Sequence, residues 1–493
     1  MPWNAKSLSH LLREAIAQHA EAGRIALVGA FGELSYARLG ELVDGFAAAA
    51  RSWDVGRGDL VGISTARSPE SIALFLGLMQ AGACPCVMEA RLSGGNVLLR
   101  MRAVGMKRLV VDRANARLGV EVAAAGMTVG VAEMRRASRA GVGAEPVPGR
   151  GDLAMMQFTS GSTGLPKGVL LTHENLLCNA EGVSARTAIT ASDRLLHLMP
   201  LHHTNGINNQ LVVPFIAGAT VVLADKFRAE EIESLIARHR ITYVTGVPTM
   251  YARIIPHLSV PRRLASLRFL RCGSAPITVE LHRQIEAAFG VPLVVSYGLS
   301  EATCTSTMNP PAARRIGTVG TVLARQTVKL LQPGAREEVP VGAEGEICIS
   351  GPSLMAKYVG PGAEQPIRGG WLRSGDLGRF DADGYLAITG RIKDVIIRGG
   401  ENISPQQVED ILVRHPAVKA CCVVGGPHAD LGEVPVAFVV LRPGEKASGA
   451  ELQALVGEGL SRIYVPAEVR FLGALPENTV GKVDRKALRK QLG

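Results

Sequence analysis

The sequence predicts an α/β protein. A large N-terminal domain of parallel sheets carries a small β subdomain and is followed by a small α+β C-terminal domain. Three observations carry this expectation. Short apolar runs alternate with amphipathic helical stretches over most of the chain, the pattern that gives parallel sheets covered by helices. Within 344–350 and 384–389 the pattern changes to that of antiparallel strands. A polar break at Gly390-Arg391-Ile392-Lys393-Asp394 then opens a second unit with its own pattern.

Each element has its local reason. Leu8, Leu11, Leu12 and Ile16 recur at helical spacing, interrupted by Arg13, Glu14 and His19, so the start reads as an amphipathic helix and not as a signal peptide. Apolar runs predict strands at 60–63, 109–111, 220–223, 242–244 and 293–295. Amphipathic spacing predicts helices at 68–81, 229–239 and 279–289. Past the break, helices are expected at 405–414 and 450–462, strands at 418–424 and 434–441, and a basic helix at 485–491. The expected domains are 1–392 and 393–493, and the second is large enough for its own core.

Composition narrows the function. The 493 residues are 47% hydrophobic, enough for large cores, but only 4% aromatic. The net charge of +10 is spread along the chain, with modest clusters at 100–113 and 482–490. A nucleic-acid binder would gather charge on one face and interleave aromatics, so no nucleic-acid partner is expected. Polyanionic small molecules use such charge instead. The eight cysteines show no repeated C-x-x-C pairing, which argues against zinc and against a disulfide framework and fits reduced thiols in a cytoplasmic protein. The longest apolar run, 211–224, is broken by Pro214 and Gly218, so no membrane span is expected. Self-association is left open.

The most informative stretch is Thr159-Ser160-Gly161-Ser162-Thr163-Gly164-Leu165-Pro166-Lys167-Gly168. Glycines let backbone N–H groups approach an anion, hydroxyls add donors, and Lys167 adds a point charge. This suits a triphosphate. It is not a P-loop, since Gly168 and not Ser or Thr follows the lysine. Ser296-Tyr297-Gly298-Leu299-Ser300-Glu301 directly follows a predicted strand, where α/β folds place ligands. Tyr297 can stack on a purine, Ser300 can donate to a phosphate, and Glu301 offers hard oxygens to Mg²⁺. Asp376, in Trp371-Leu372-Arg373-Ser374-Gly375-Asp376, can accept from two ribose hydroxyls. The paired His202 and His203 are poor zinc ligands, because adjacent side chains point apart.

These stretches resemble, in order, the motifs of the adenylate-forming superfamily: acyl- and aryl-CoA synthetases, adenylation domains of nonribosomal peptide synthetases and firefly-type luciferases. Thr159–Lys167 is similar to its T-S-G-S-T-G-x-P-K-G phosphate loop. Cys272-Gly273-Ser274-Ala275-Pro276 resembles the G-x-A-P loop beside the adenine, and Ser296–Glu301 the Y-G-x-T-E motif with Ser300 for Thr. The 371–376 stretch resembles W-x-x-T-G-D, and Arg391 the second ribose contact. Pro200-Leu201-His202-His203-Thr204-Asn205-Gly206 resembles P-x-F-H-x-x-G, with His202 where an aromatic is usual. Gly399-Gly400-Glu401-Asn402-Ile403-Ser404-Pro405 resembles a segment of the CoA tunnel, and 475–482 the final L-P-x-T-x-x-G-K, ending in Lys482.

The resemblance spans essentially the whole chain and implies two half-reactions using ATP, Mg²⁺ and coenzyme A. Lys167 and the loop hydroxyls would hold phosphates and Glu301 the metal. Lys482, with Ser300 and His203 nearby, would assist acyl-AMP formation. Ser274, Ala275, Pro276, Ser296, Tyr297 and Gly298 would border the nucleotide. His202, Asn205, Gly206, Thr249, Arg253 and Gly273 would line the acid pocket. A mobile C-terminal domain would then pivot at Lys393 and bring Gly399 and Gly400 to the site for thioester formation. The expected substrate is a small or medium carboxylic acid. Alternatives are a dicarboxylate such as malonate or oxalate, with Arg253 on the second carboxylate, loading of a carrier protein, and an inactive nucleotide or CoA sensor.

Overall fold

A computed structural model describes residues 3–53, 55–89, 92–131, 148–160, 166–259, 264–477 and 483–492. The candidate residues Gly161, Ser162, Thr163, Gly164 and Lys482 lie outside the described residues.

The predicted α/β architecture is found. Its central sheet has nine strands, in the order Thr321–Val322, Thr307–Met308, Leu293–Tyr297, Phe269–Cys272, Tyr243–Gly246, Arg194–His197, Thr220–Leu223, Ile25–Gly29 and Gly32–Ser35. The six inner strands run parallel, and the edges are antiparallel. A second, parallel sheet joins Cys84–Val87, Leu60–Ser64, Arg108–Val111 and Thr128–Val131. Aliphatic side chains fill both, as fully buried Leu8, Leu27, Leu39 and Ile63 illustrate. Burial on both faces explains the continuous apolar runs by which these strands are legible.

Helix Pro69–Gln80 forms where expected because Ser68 caps it and Pro69 opens it. The expected helix at 229–239 begins instead with a 3-10 turn, Ala229–Glu231, before Ile232–His239. Leu153–Ser160 and Pro166–Thr172 form a hairpin, with Lys357–Val359 on its outer edge. The β subdomain pairs Thr327–Leu331, Gly345–Ser350, Trp371–Phe380 and Leu386–Arg391.

The C-terminal sheet holds Glu401–Ile403, Ile396–Arg398, Gly432–Leu441, Val418–His428 and Glu468–Phe471. Its core packs Val408, Leu412, Val423, Val439 and Leu452. Among the described residues no helix is long and apolar enough to cross a membrane, and the eight cysteines form no disulfide.

Several helices, among them Tyr36–Ser52 and His173–Thr187, were not expected, and one further element is of an unusual kind. Asn205–Val212 winds as a wholly buried π-helix. Its wider turn breaks the 3.6-residue apolar period that reveals ordinary helices.

Candidate active site

Strand Leu293–Tyr297 is the last of the six parallel strands of the large sheet, next to its antiparallel edge, and the chain then turns through Gly298. A Cβ on Gly298 would lie 2.1 Å from the Cys304 carbonyl oxygen, so only glycine lets the two backbones meet. Thr303 and Cys304 both adopt left-handed φ, 55° and 81°. A β-branched residue there is strained, and strain of this kind gathers at functional sites. The Thr303 hydroxyl offsets part of it by donating to the Ser353 carbonyl at 2.6 Å. Stretch 297–305 is thus fixed in shape, and the polar groups of the site gather around it.

On one side, the Tyr297 hydroxyl donates to Asp376 Oδ2 at 2.7 Å. The Arg391 guanidinium pairs with Asp376 Oδ1 across adjacent strands, where the two residues are in register. The Asp376 N–H donates to Ser374 Oγ at 3.0 Å. Asp376 is buried at 6% side-chain exposure, while Arg391 is 58% exposed, so the carboxylate is fixed and the guanidinium reaches outward. Burial first, and the charge of Asp376 second, push the Tyr297 phenol well above its usual range. Tyr297 therefore stays a neutral donor.

The same stretch reaches the phosphate-loop hairpin. Tyr358 donates its hydroxyl to Glu301 Oε1, and Lys167 Nζ lies 5.9 Å from the centre of the Tyr358 ring. Lys167 faces Thr159 across the hairpin. Ser300 and Glu301 sit together in a 3-10 turn. Tyr358, which sequence reading missed, joins the lysine to the carboxylate. Its position between two turn segments carries no motif. Among the described residues no cluster of three or more metal-ligating side chains forms, at Glu301 or elsewhere. That fits Mg²⁺, which is bound through one or two carboxylates and substrate phosphates and not in a protein cage.

The acid-pocket candidates fall at three places in the fold. The rings of His202 and His203 lie 4.4 Å apart just before the π-helix. Burial, together with Arg100, lowers the His202 pKa against the pull of Glu89. Gly206 carries no side chain because a Cβ would lie 2.1 Å from the Pro200 carbonyl oxygen. Asn205 Oδ1 accepts from Asn209 Nδ2 at 3.1 Å. Gly273 ends strand Phe269–Cys272, and its absent Cβ leaves room beside Ser296 Oγ at 3.0 Å. Ser274 follows in a left-handed conformation, φ 67°, and turns the chain toward Ala275 and Pro276.

Thr249 stands in the first turn of helix Pro248–Ile254, and Arg253 in its last. Arg253 does not offer an open charge. One of its terminal nitrogens donates to both Glu477 oxygens at 2.8 Å, and the guanidinium is half exposed. Glu477 lies five residues before Lys482. Arg253 therefore ties the C-terminal domain to the core.

Lys393 lies two residues after Arg391, in the short 3-10 turn Ile392–Asp394. Gly399 and Gly400, at φ 57° and 91°, form the tight turn between two C-terminal strands. The Gly399 N–H donates to the Leu431 carbonyl at 2.8 Å, and no described contact brings this turn to Asp376 or Glu301.

Asp376, the hairpin that carries Lys167, and Glu301 thus border the one stretch that continues strand Leu293–Tyr297. The AMP-binding enzyme family model matches residues 12–359, and that of the AMP-binding enzyme C-terminal domain matches 407–482. The chain is 40% identical to a sulfoacetate–CoA ligase of Cupriavidus necator over 342 residues, 68% of this chain and 66% of that protein. It is 32% identical to an indoleacetate–CoA ligase of Aromatoleum aromaticum, over 97% of this chain and 98% of that one. Superposition on the ATP-bound structure of MatB from Rhodopseudomonas palustris gives a TM-score of 0.90 at 29% identity, covering 97% and 98% of the two chains. The chain belongs to the AMP-binding enzyme family, and with it stands among the AMP-forming acid–thiol ligases.

Proposed function

We propose that this chain joins a small or medium carboxylic acid to coenzyme A, with ATP cleaved to AMP and pyrophosphate. The observation that carries the reading is the single stretch 297–301, whose two ends reach Asp376 through Tyr297 and Tyr358 through Glu301, beside Lys167.

The mechanism follows from charge. The acid carboxylate attacks the α-phosphorus of ATP, an acyl–phosphate bond forms, and the bond to pyrophosphate breaks. Two anions must approach, so neutralisation and alignment dominate the catalysis. Asp376 would accept from the ribose hydroxyls while Arg391 extends the contact. Lys167 would neutralise the departing pyrophosphate. Glu301 would hold Mg²⁺, which screens phosphate charge when bound. Lys482 would bridge the reactants. The C-terminal domain would then turn about Lys393, and the CoA thiolate would displace AMP and form the thioester.

The relatives differ in the acid for which they are named: sulfoacetate, ferulate, medium-chain fatty acids and indoleacetate. A panel of these acids and of malonate, assayed for CoA-dependent AMP release, tests the reading. CoA-independent release, or none with any acid, would overturn it. Lys482→Ala sharpens it: acyl-AMP synthesis should fall by ~10²–10³-fold, the scale of one lost electrostatic contact. Supplied acyl-AMP should still give thioester at the normal rate.

A further inference from the structure

Arg271 is the third residue of the inner strand Phe269–Cys272, and it is buried at 4% exposure. Its guanidinium carries five N–H donors. Among the described residues it makes one side-chain hydrogen bond, from Nη2 to Thr305 Oγ1 at 2.8 Å. No carboxylate lies among the groups that act on it, which are Cys304, Tyr243 and Tyr251.

Other buried or half-buried arginines of the core are provided for. Arg268 meets the Asp193 carboxylate at 2.6 Å. Arg186 spans the carbonyls of Met308 and Val322. A buried cation without a counter-charge costs several kcal/mol, and arginine does not escape by losing its proton. Such a charge persists where something outside the chain supplies the anion.

Chain position and hydrogen bonding place this cation next to two acid-pocket candidates, Gly273 and Asn205. Arg271 precedes Gly273 by two residues, about 6.6 Å of extended strand. Its partner Thr305 also accepts from Asn209 Nδ2 at 3.3 Å. Asn209 in turn donates to Asn205 Oδ1 and to Cys304 Sγ. Polar groups short of partners gather here. Asn209 Oδ1, the Tyr243 hydroxyl and the Ser306 hydroxyl are buried without a hydrogen bond. Polar surroundings with a positive charge that no described carboxylate balances do not suit an alkyl or aryl tail.

We propose that Arg271 is a specificity-determining residue that binds a second anionic group, carboxylate or sulfonate, at the end of a short acid distal to its reacting carboxylate. The inference rests on the ligase reading above and assigns to Arg271 the role that sequence reading gave to Arg253. The substrate anion completes the charge balance of the floor, and a neutral-tailed acid leaves it incomplete.

ATP–pyrophosphate exchange tests this with matched acids: succinate and 3-sulfopropionate against butyrate, and malonate against propionate. The expected result is at least a 100-fold higher kcat/KM for the dianions. Whichever anion leads, sulfonate or carboxylate, identifies the source. In Arg271→Gln the advantage should collapse through KM, with butyrate turnover unchanged or raised, and Arg271→Lys should restore part of it. Neutral-tailed acids leading in the wild type would overturn the inference and leave the ligase reading standing. Exchange with no acid at all would overturn the ligase reading itself. Equal loss of both acid classes in an Arg271→Gln protein that still binds ATP would show a purely structural arginine. Should the glutamine variant fail to fold, the wild-type preference and the lysine variant decide.

Discussion

Asp376 and Arg271 are both buried charges held by one stretch of chain, yet among the described residues only Asp376 of the two meets a counter-charge. Tyr297, at the start of the stretch, donates to Asp376, and Arg391 neutralises it. Thr305, at the end, accepts from Arg271, and among the described residues no carboxylate acts on that charge. On the proposed reading, the nucleotide side would be preorganised in charge as well as in shape, and the acid side in shape alone. A buried, paired carboxylate would serve every acid alike, because the nucleotide is the same in each turnover. A buried guanidinium without a carboxylate partner among the described residues would discriminate, because its partner would be the variable substrate.

The comparison can be broken most directly at Asp376. Asp376→Ala leaves Arg391 without its partner and removes the proposed ribose contact. Pyrophosphate exchange should fall by ~10²–10³-fold, by the same factor for dianionic and neutral-tailed acids. Unequal loss would mean that the two sides are coupled. Arg271→Gln is the counterpart, and its loss should be confined to dianions.

A smaller effect is expected at the domain boundary. The Arg253–Glu477 pair is partly exposed, so it contributes at most about 1 kcal/mol. Arg253→Ala should slow adenylation by less than about tenfold, leave thioester formation from supplied acyl-AMP untouched, and keep the acid preference. A changed preference would return Arg253 to the pocket wall.

A separate effect, on stability and not on turnover, concerns pH. Burial, and then the neighbouring Arg67, lower the His197 pKa to about 3. Neutral His197 donates from Nε2 to the Gly206 carbonyl at 2.9 Å and so steadies the π-helix. Because the fold favours the uncharged ring, this stabilisation is complete above the ordinary histidine pKa. It is lost on acidification from there toward about pH 3, by at most about 1.4 kcal/mol per pH unit. Denaturant midpoints at pH 7.5 and 5.5 should therefore separate more in the wild type than in His197→Gln. Identical pH dependence would assign the acid sensitivity elsewhere.

Much of the molecule is legible in the chain alone. Apolar runs and helical spacing report burial, and the caps at Ser68 and Thr172 are local hydrogen bonds, so strands and helices follow from neighbours in sequence. The glycine- and hydroxyl-rich loop, the Tyr297–Glu301 stretch and Asp376 are legible for the same reason: each is a short segment whose chemistry lies in its own residues. What only the tertiary structure decided is pairing across distance. Tyr358 meets Glu301 from 57 positions away, and Arg253 meets Glu477 from 224. Arg271 follows an apolar run and shows there only as a charge in a buried strand. Whether such a charge is balanced depends on which distant side chains the fold brings within hydrogen-bond reach, and no local pattern encodes that. The π-helix was hidden likewise, since its stability comes from complete burial and its period is not the one that amphipathic sequence reveals.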